Sequence, residues 1–306
     1  MARANGFLKF TETFPNEQSC LKYLEELRWK GKVISPFDET AKVYKCRNGK
    51  YKCSKTGKYF DAKTGTMFAK TKLPLRYWFY AMFLFLSHKR GVSSCQLARD
   101  LDITQATAWN MLHKIREYMN CLNKEVLTDE VEIDETFVGG KNKNRHKDKK
   151  VEKCQGRSFK DKVPVFGMYQ RGGSIVAKTV TDTRAKTLSP LIERHISNGS
   201  KVFTDGWDYG GLNENYEQHS VDHGIGFYGT TLVDDDGVIT NVCTNGIECA
   251  WSQLKRTILG TYYKVSKKHL QRYIDEFAFR FNTRRLGDNE RFDYFCAMYL
   301  NYEKRG

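Results

Sequence analysis

The segment VEIDETFVGG (residues 131–140) alternates apolar and polar side chains, and it constrains the chain more than any other stretch. A period of two is the mark of a half-buried strand. Val131, Ile133 and Phe137 turn to one face and Asp134 to the other. A carboxylate in mid-strand is unfavourable unless it has a partner or a task. Any fold for this chain must bury one face of the strand and employ an acid on the other.

The flanking periodicities describe an α/β arrangement. VPVFGMYQRGG and SIVAKTVTD read as strands joined by a Gly-Gly turn, AKTLSPLIERHI as a helix and KVFTDGW as a short strand. Residues 207–243 read as a loop-rich stretch, followed by the helices NGIECAWSQLKRTILGTYY and KKHLQRYIDEFAFRFNTR. Strands, helix, strand, then helices fit a sheet with helices laid on it.

Upstream the patterns differ. NEQSCLKYLEELRW predicts one short helix from the spacing of Leu21, Leu24 and Leu27. Residues 33–70 are rich in Lys, Tyr and Gly, and Asn48-Gly49 is a hairpin-turn signal, so a small β module is expected there. The longest apolar run, Trp78 to Leu86, is about half of what a bilayer span requires and reads as a buried core helix. Ser93 to Asp100, a turn at 101–103, and Thr104 to Met119 have helix-turn-helix spacing, with Ser93 or Ser94 and Thr104 as caps. Three regions follow: 1–72, 73–125 and 126–306.

Charge narrows the partners. The 306 residues carry a net charge of +15, which attracts a polyanion, nucleic acid being the commonest. A basic membrane-surface protein would need an amphipathic basic helix or a lipidation signal, and neither is found; no membrane partner is expected. The start, MARANGFLKF, lacks the apolar run of a signal peptide, and nine cysteines at irregular spacings suggest reduced thiols. A cytoplasmic protein is expected. Residues 141–162 hold ten Lys/Arg against three Asp/Glu, either a solvated loop or a phosphate-contacting arm with Lys141, Lys143 and Arg145.

Cutting and joining phosphodiesters calls for divalent cations, and hard cations take oxygen ligands. Acids on separate elements must then converge, and three are placed for it. Asp134 sits in its strand; Asp205 ends the strand 201–204 just before Gly206; Glu248 lies beside the helical stripe Ile247, Trp251, Leu254 and Ile258. Lys255, seven residues on, shares the face of Glu248 and suits a DNA phosphate. Each acid taken singly has a plain reading as a turn or cap residue; the inference rests on all three together. On the second helix of the helix-turn-helix, Gln105, Thr107, Asn110 and Lys114 point outward as candidate base or phosphate contacts. Trp207 reads as a core or lid aromatic or as a base-stacking one.

VEIDETFVGGK, VFTDGW and TNGIECAWSQLKR resemble the active-site blocks of ISXO-type bacterial insertion-sequence DDE transposases, relatives of the Merlin elements. The resemblance extends to TGTMFAKTKLPLRYWFYAMFLF and SSCQLARDLDITQATAWNMLHKIREYM. It implies an RNase H-like catalytic core over 126–306, binding of terminal inverted repeats and target double-stranded DNA, a homo-oligomeric synaptic complex, and Mg²⁺ or Mn²⁺ as cofactor. Asp134 and Asp205 match the first two acids. The third position takes Glu or Asn in the family; Glu248, which keeps the spacing to Lys255, is preferred, with Asn245, one turn earlier, as the alternative or a second contributor.

Two departures accompany the match. The family's zinc ribbon has two Cys-x-x-Cys pairs, where this chain has Ser35, Asp38, Cys53 and Thr56. Zinc is therefore not expected, and a metal-free hairpin held by its tyrosines and Phe60 is. Cys243 stands where the family commonly has His. The expected function is a transposase that recognises element ends and performs metal-dependent cleavage and strand transfer. The alternative is a catalytically inactive DNA-binding regulator derived from one.

Overall fold

The computed structural model describes residues 6–47, 49–120, 126–139, 146–151, 161–206, 215–220, 230–233 and 239–302. The chain divides into two compact units, residues 1–121 with 284–306, and residues 122–283. This partition differs from the three regions drawn from sequence: the hairpin and the paired helices share one unit, and the end of the chain joins them.

In the first unit, α1 (Phe7–Thr13) and α2 (Glu17–Trp29) are followed by β1 (Val43–Lys45), β2 (Tyr51–Cys53) and β3 (Tyr59–Phe60). α2 starts where it does because the Asn16 side chain accepts the Ser19 amide at 2.9 Å while the Ser19 hydroxyl accepts the Asn16 amide in return. α1 escaped the sequence reading; its seven residues bury only Phe10, too few to show a period. The three strands form one antiparallel sheet in the order β1-β2-β3. Tyr51 and Phe60 stack at 5.7 Å, and Trp29 meets Tyr51 edge-on at 5.1 Å. Hydrogen bonds with Ser35 and Thr56 pull the thiol of buried Cys53 down to about 7, whereas Asp38 pairs with Lys55 at 3.1 Å. Asn48 lies outside the described residues.

α3 (Leu75–Ser87) buries Trp78, Phe79, Met82, Phe85 and Leu86, and among the described residues no helix is long and apolar enough to cross a membrane. α4 (Ser94–Leu101) and α5 (Gln105–Asn120) follow. Ser93 accepts the Gln96 amide at 3.1 Å and Thr104 the Thr107 amide at 3.2 Å, so both helices have hydroxyl caps. Leu97, Ala98, Ala108, Leu112 and Ile115 are buried. α9 (Asp288–Tyr302) completes this unit: Phe292 packs against Phe14, Tyr23 and Phe79, and the Tyr23 hydroxyl donates to Asp293 at 2.5 Å.

The second unit is a mixed α/β layer. Its sheet runs β6-β5-β4-β7-β8, built from β4 (Glu130–Val138), β5 (Val163–Gln170), β6 (Ile175–Thr179), β7 (Lys201–Thr204) and β8 (Glu217–Ser220). β4, β5 and β6 are antiparallel neighbours, whereas β7 is parallel to β4 and β8 is parallel to β7. β9 (Thr230–Val233) and β10 (Ile239–Val242) pair separately. Three short strands thus lie in the stretch read as loop. β8, sequence EQHS, has no apolar alternation because it is an edge strand with a neighbour on one side only.

Period two divides the sheet's faces. Val131, Ile133 and Met168 pack with Leu188 and Ile192 of α6 (Ala185–His195). Val165, Ile175 and Ala177 pack with α7 (Asn245–Thr257) and α8 (Leu270–Asn282). The other edge, β6, is tied to α8 by side-chain amides. Gln271 accepts the Thr179 amide at 2.7 Å and donates to Ala177 O at 3.2 Å, and Asn282 accepts the Ile175 amide at 2.7 Å. Gln271→Ala is expected to lower stability by about 1–3 kcal/mol, read from urea unfolding, since it strips partners from a part-buried edge.

Candidate active site

β4 carries Glu132 and Asp134 on the face turned to α7, and the two acids meet different surroundings. Glu132 is 3% exposed and fully engaged. One oxygen accepts Arg171 Nε at 2.9 Å and the other accepts the Ile247 amide at 2.9 Å. Ile247 lies in the first turn of α7, whose N-cap residue Thr244 supplies no side-chain cap. Glu132 therefore caps the helix from across the sheet, where a carboxylate is also favoured by the helix dipole. Arg171 extends the clamp, donating to Glu130 at 3.0 Å and to Cys243 O at 2.9 Å, with its guanidinium 3.9 Å from the Phe203 ring centre on β7. Gly246 leaves room for this; a Cβ there would lie 2.4 Å from Tyr169 and 2.8 Å from Glu132.

Asp134 has a thinner set of partners. Trp251 Nε1 donates to it at 3.0 Å. The indole lies over Gly167, which pairs with Asp134 in register, and a Cβ on Gly167 would come within 2.4 Å of the ring. Burial, then the charges of Asp205 and Glu248, push the Asp134 carboxyl up from 3.8 to about 6; hydrogen bonds from the Glu135 amide and then Trp251 oppose the rise.

Asp205 follows β7 and is half-buried, and Gly206 at φ 86 leads the chain away. Glu248 stands exposed in the first turn of α7, with Asn245 exposed at its first position and Lys255 exposed two turns on. The structure thus brings Asp134, Asp205 and Glu248 into one electrostatic neighbourhood. Among the described residues, no three His, Cys, Asp or Glu side chains form a ready group for one ion. The buried hydroxyls of Thr204, beside Asp205, and Thr244, at the head of α7, have no hydrogen-bond partner there.

Of the other candidates, Gln105 is bonded to Ser94 at 2.8 Å, Thr107 to Thr104 at 2.8 Å, and Lys114 sits 5.7 Å from the Trp78 ring centre; Asn110 is exposed. His219 bonds Glu217 at 2.8 Å and stacks on Phe203. Lys141, Lys143, Arg145 and Trp207 lie outside the described residues. The sequence reading missed the roles of Glu132, Arg171 and Gly167. Glu132 had a signal, since it shares the strand face of Asp134; Arg171 and Gly167 had none before the register was known.

The profile of the ISXO2-like transposase domain matches residues 126–282, which span β4 through α8. The chain belongs to the ISXO2-like transposase family. It is 28% identical over 290 residues to an uncharacterized protein in transposable element ISH50 of Halobacterium salinarum, covering 88% of this chain and 92% of that protein. A chain from the crystal structure of a pre-cleavage Mos1 transpososome aligns over 77% of this chain and 79% of its own at 11% identity, with a TM-score of 0.25, too low to bear on the fold.

Two outcomes follow for this member of the family. Gly167→Ala should displace Trp251 and cost about 1–3 kcal/mol, with a changed near-ultraviolet tryptophan signal. Asp134→Asn should stabilise the fold by about 1–3 kcal/mol at neutral pH, because it removes a part-buried like charge and keeps an acceptor for Trp251. The sign follows from linkage: the folded chain holds a proton on Asp134 that the unfolded chain releases between 3.8 and about 6. The gain should therefore be full above that window and vanish at its lower end, as read by denaturant unfolding at several pH values.

Proposed function

We propose that this transposase cuts and joins DNA with Asp134, Asp205 and Glu248 as its catalytic acids, in a core of RNase H-like type. The observation that carries the reading is that Asp134 lies on β4 beside the parallel strand β7, which Asp205 follows, and bonds Trp251 of the helix whose first turn holds Glu248. The donor set fits a hard divalent cation: it is all oxygen, and its like charges repel until a cation joins them. Asp134, Asp205 and Glu248 would hold Mg²⁺ or Mn²⁺, with Asn245 beside Glu248 as the other candidate for the third position. When bound, such ions stabilise charge on the phosphate oxygens and activate the attacking hydroxyl or water.

The chain's own residues do the rest. Trp251 and the Glu135 amide hold the Asp134 carboxylate in place. The Glu132–Arg171 clamp holds the head of α7, and so the position of Glu248, against the sheet. Lys255 grips a backbone phosphate two turns from Glu248. The paired helices α4 and α5 act as a helix-turn-helix that contacts element ends through Asn110, Gln105, Thr107 and Lys114; the segment with Lys141, Lys143 and Arg145 adds phosphate contacts. The small sheet works without zinc. Double-stranded DNA is the substrate, and a homo-oligomeric synapse is the working form.

One observation favours a second reading, a DNA-binding derivative without cleavage: the acids do not yet form a ready metal group. The experiment that decides is cleavage of a duplex carrying the element end, in magnesium or manganese. Wild type should nick it, while Asp134→Asn and Asp205→Asn should lose cleavage and keep binding. Glu248→Gln and Asn245→Ala identify the third ligand. Cleavage retained in Asp134→Asn rejects the assignment, and a wild type that binds without cutting selects the second reading. Magnesium should also raise the melting temperature of the wild type and not of Asp134→Asn.

A further inference from the structure

The face of α7 that carries Glu248 continues well past it. Glu248, Ser252, Lys255 and Leu259 recur at i, i+4, i+7 and i+11, and all are exposed. Beyond α7 the chain enters a π-helical turn, Ile258–Tyr262, then a 3₁₀ turn, Lys267–His269. From residue 249 to residue 274 there is no Asp or Glu, against six Lys/Arg. Lys255, Arg256, Lys264, Lys267 and Lys268 are exposed, with no carboxylate at salt-bridge distance among the described residues.

Two apolar side chains stand out on this basic strip. Leu259 is 67% exposed and Tyr263 85%. Tyr263 has φ 60 and ψ −57, and the Lys264 amide reaches over it to Tyr262 O at 2.6 Å. That is the rare, strained form of the γ-turn, unfavourable for a residue with a side chain. The neighbour holds it in place: the Tyr262 hydroxyl donates to buried Glu276 at 2.6 Å, and its ring meets Tyr273 edge-on at 4.8 Å. With Tyr262 anchored inward, Tyr263 is turned out to solvent. A large aromatic ring held out by strain, among cations unpaired and itself without a ring or hydrogen-bond partner among the described residues, is the combination that single-stranded nucleic acid uses: cations for its phosphates and a ring for a base.

We infer that the strip from Lys255 to Lys268 is a track for a DNA strand leaving the acids, on which Tyr263 stacks against an unpaired base while the five cations hold the backbone. Tyr263 lies fifteen residues beyond Glu248. At helical rise that is roughly 20 Å, about six base-pair steps. The unpaired base therefore belongs to flanking DNA rather than to the scissile step. The inference rests on the reading that the acids act on DNA.

The test is fluorescence anisotropy in EDTA, with full-length protein and two labelled probes: a blunt duplex, and the same duplex with a single-stranded 3′ extension. Tyr263→Ala should weaken binding of the extended probe roughly tenfold and leave the blunt duplex unchanged, and Tyr263→Phe should restore it. Lys264→Ala/Lys267→Ala/Lys268→Ala should weaken both probes and flatten the salt slope by roughly two to three. Equal behaviour of Tyr263→Ala and wild type on the extended probe, or equal loss on both probes, overturns the inference. So does Tyr263-dependent binding to phosphatidylglycerol vesicles without a DNA effect. Wild type binding neither probe sinks the DNA reading and this one with it, whereas cleavage surviving in Asp134→Asn sinks only the acid assignment.

Discussion

The contact between Glu132 and the first turn of α7 is the constraint on which the rest of the second unit depends. A helix N-terminus exposes unsatisfied amides, and Thr244 leaves this one without a local side-chain cap. Glu132 supplies the missing acceptor from the middle of β4, and Arg171 neutralises it while reaching Cys243 O and the Phe203 ring. One carboxylate thereby joins two strands, the strand turn and a helix. A buried charge with this many partners is costly to break, because losing one partner strands the other. The head of α7 has little freedom to slide, and the absence of a side chain at Gly246 is what lets it lie this close to Tyr169 and Glu132.

Two acids two residues apart on one strand face differ in role because they differ in compensation. Glu132 is neutralised by a guanidinium and also accepts a helix amide; Asp134 accepts from the uncharged donors of Trp251 and Glu135 and faces two like-charged neighbours. The neutralised acid fixes the helix, and the other keeps unrelieved like charge beside it. Burial with unrelieved like charge is the arrangement that marks functional carboxylates, whereas burial with full pairing marks structural ones.

Much of this was legible in the residues. The period-two alternation of VEIDETF located β4 and the side to which Asp134 turns, and the stripe Ile247, Trp251, Leu254 put α7 on the sheet with Glu248 beside its buried edge. Short polar strands were not legible: β8 is EQHS, and pairing along an edge leaves no hydrophobic signature. Nor was α9 separable as a helix of the other unit, since Phe292 shows that it wants aromatic neighbours and not which ones. Glu132 carried its signal in plain view. Two acids on one face of a strand demand two explanations, and spacing by itself does not say which acid will find an arginine thirty-nine residues away.

α7 shows the opposite balance from Asp134. Glu248 sits in its first turn and Lys255 and Arg256 in its last, the placement that the helix dipole favours at both ends. Its charges therefore support the element that carries them, and the helix holds an acid and a cation two turns apart without strain. Cost is concentrated elsewhere, at the part-buried carboxylate of Asp134 and the forced backbone of Tyr263. Both are held by neighbours with no charge to offer a substrate, Trp251 in one case and Tyr262 in the other. The rigid, self-consistent helix thus lies between two strained points, one of like charge and one of backbone.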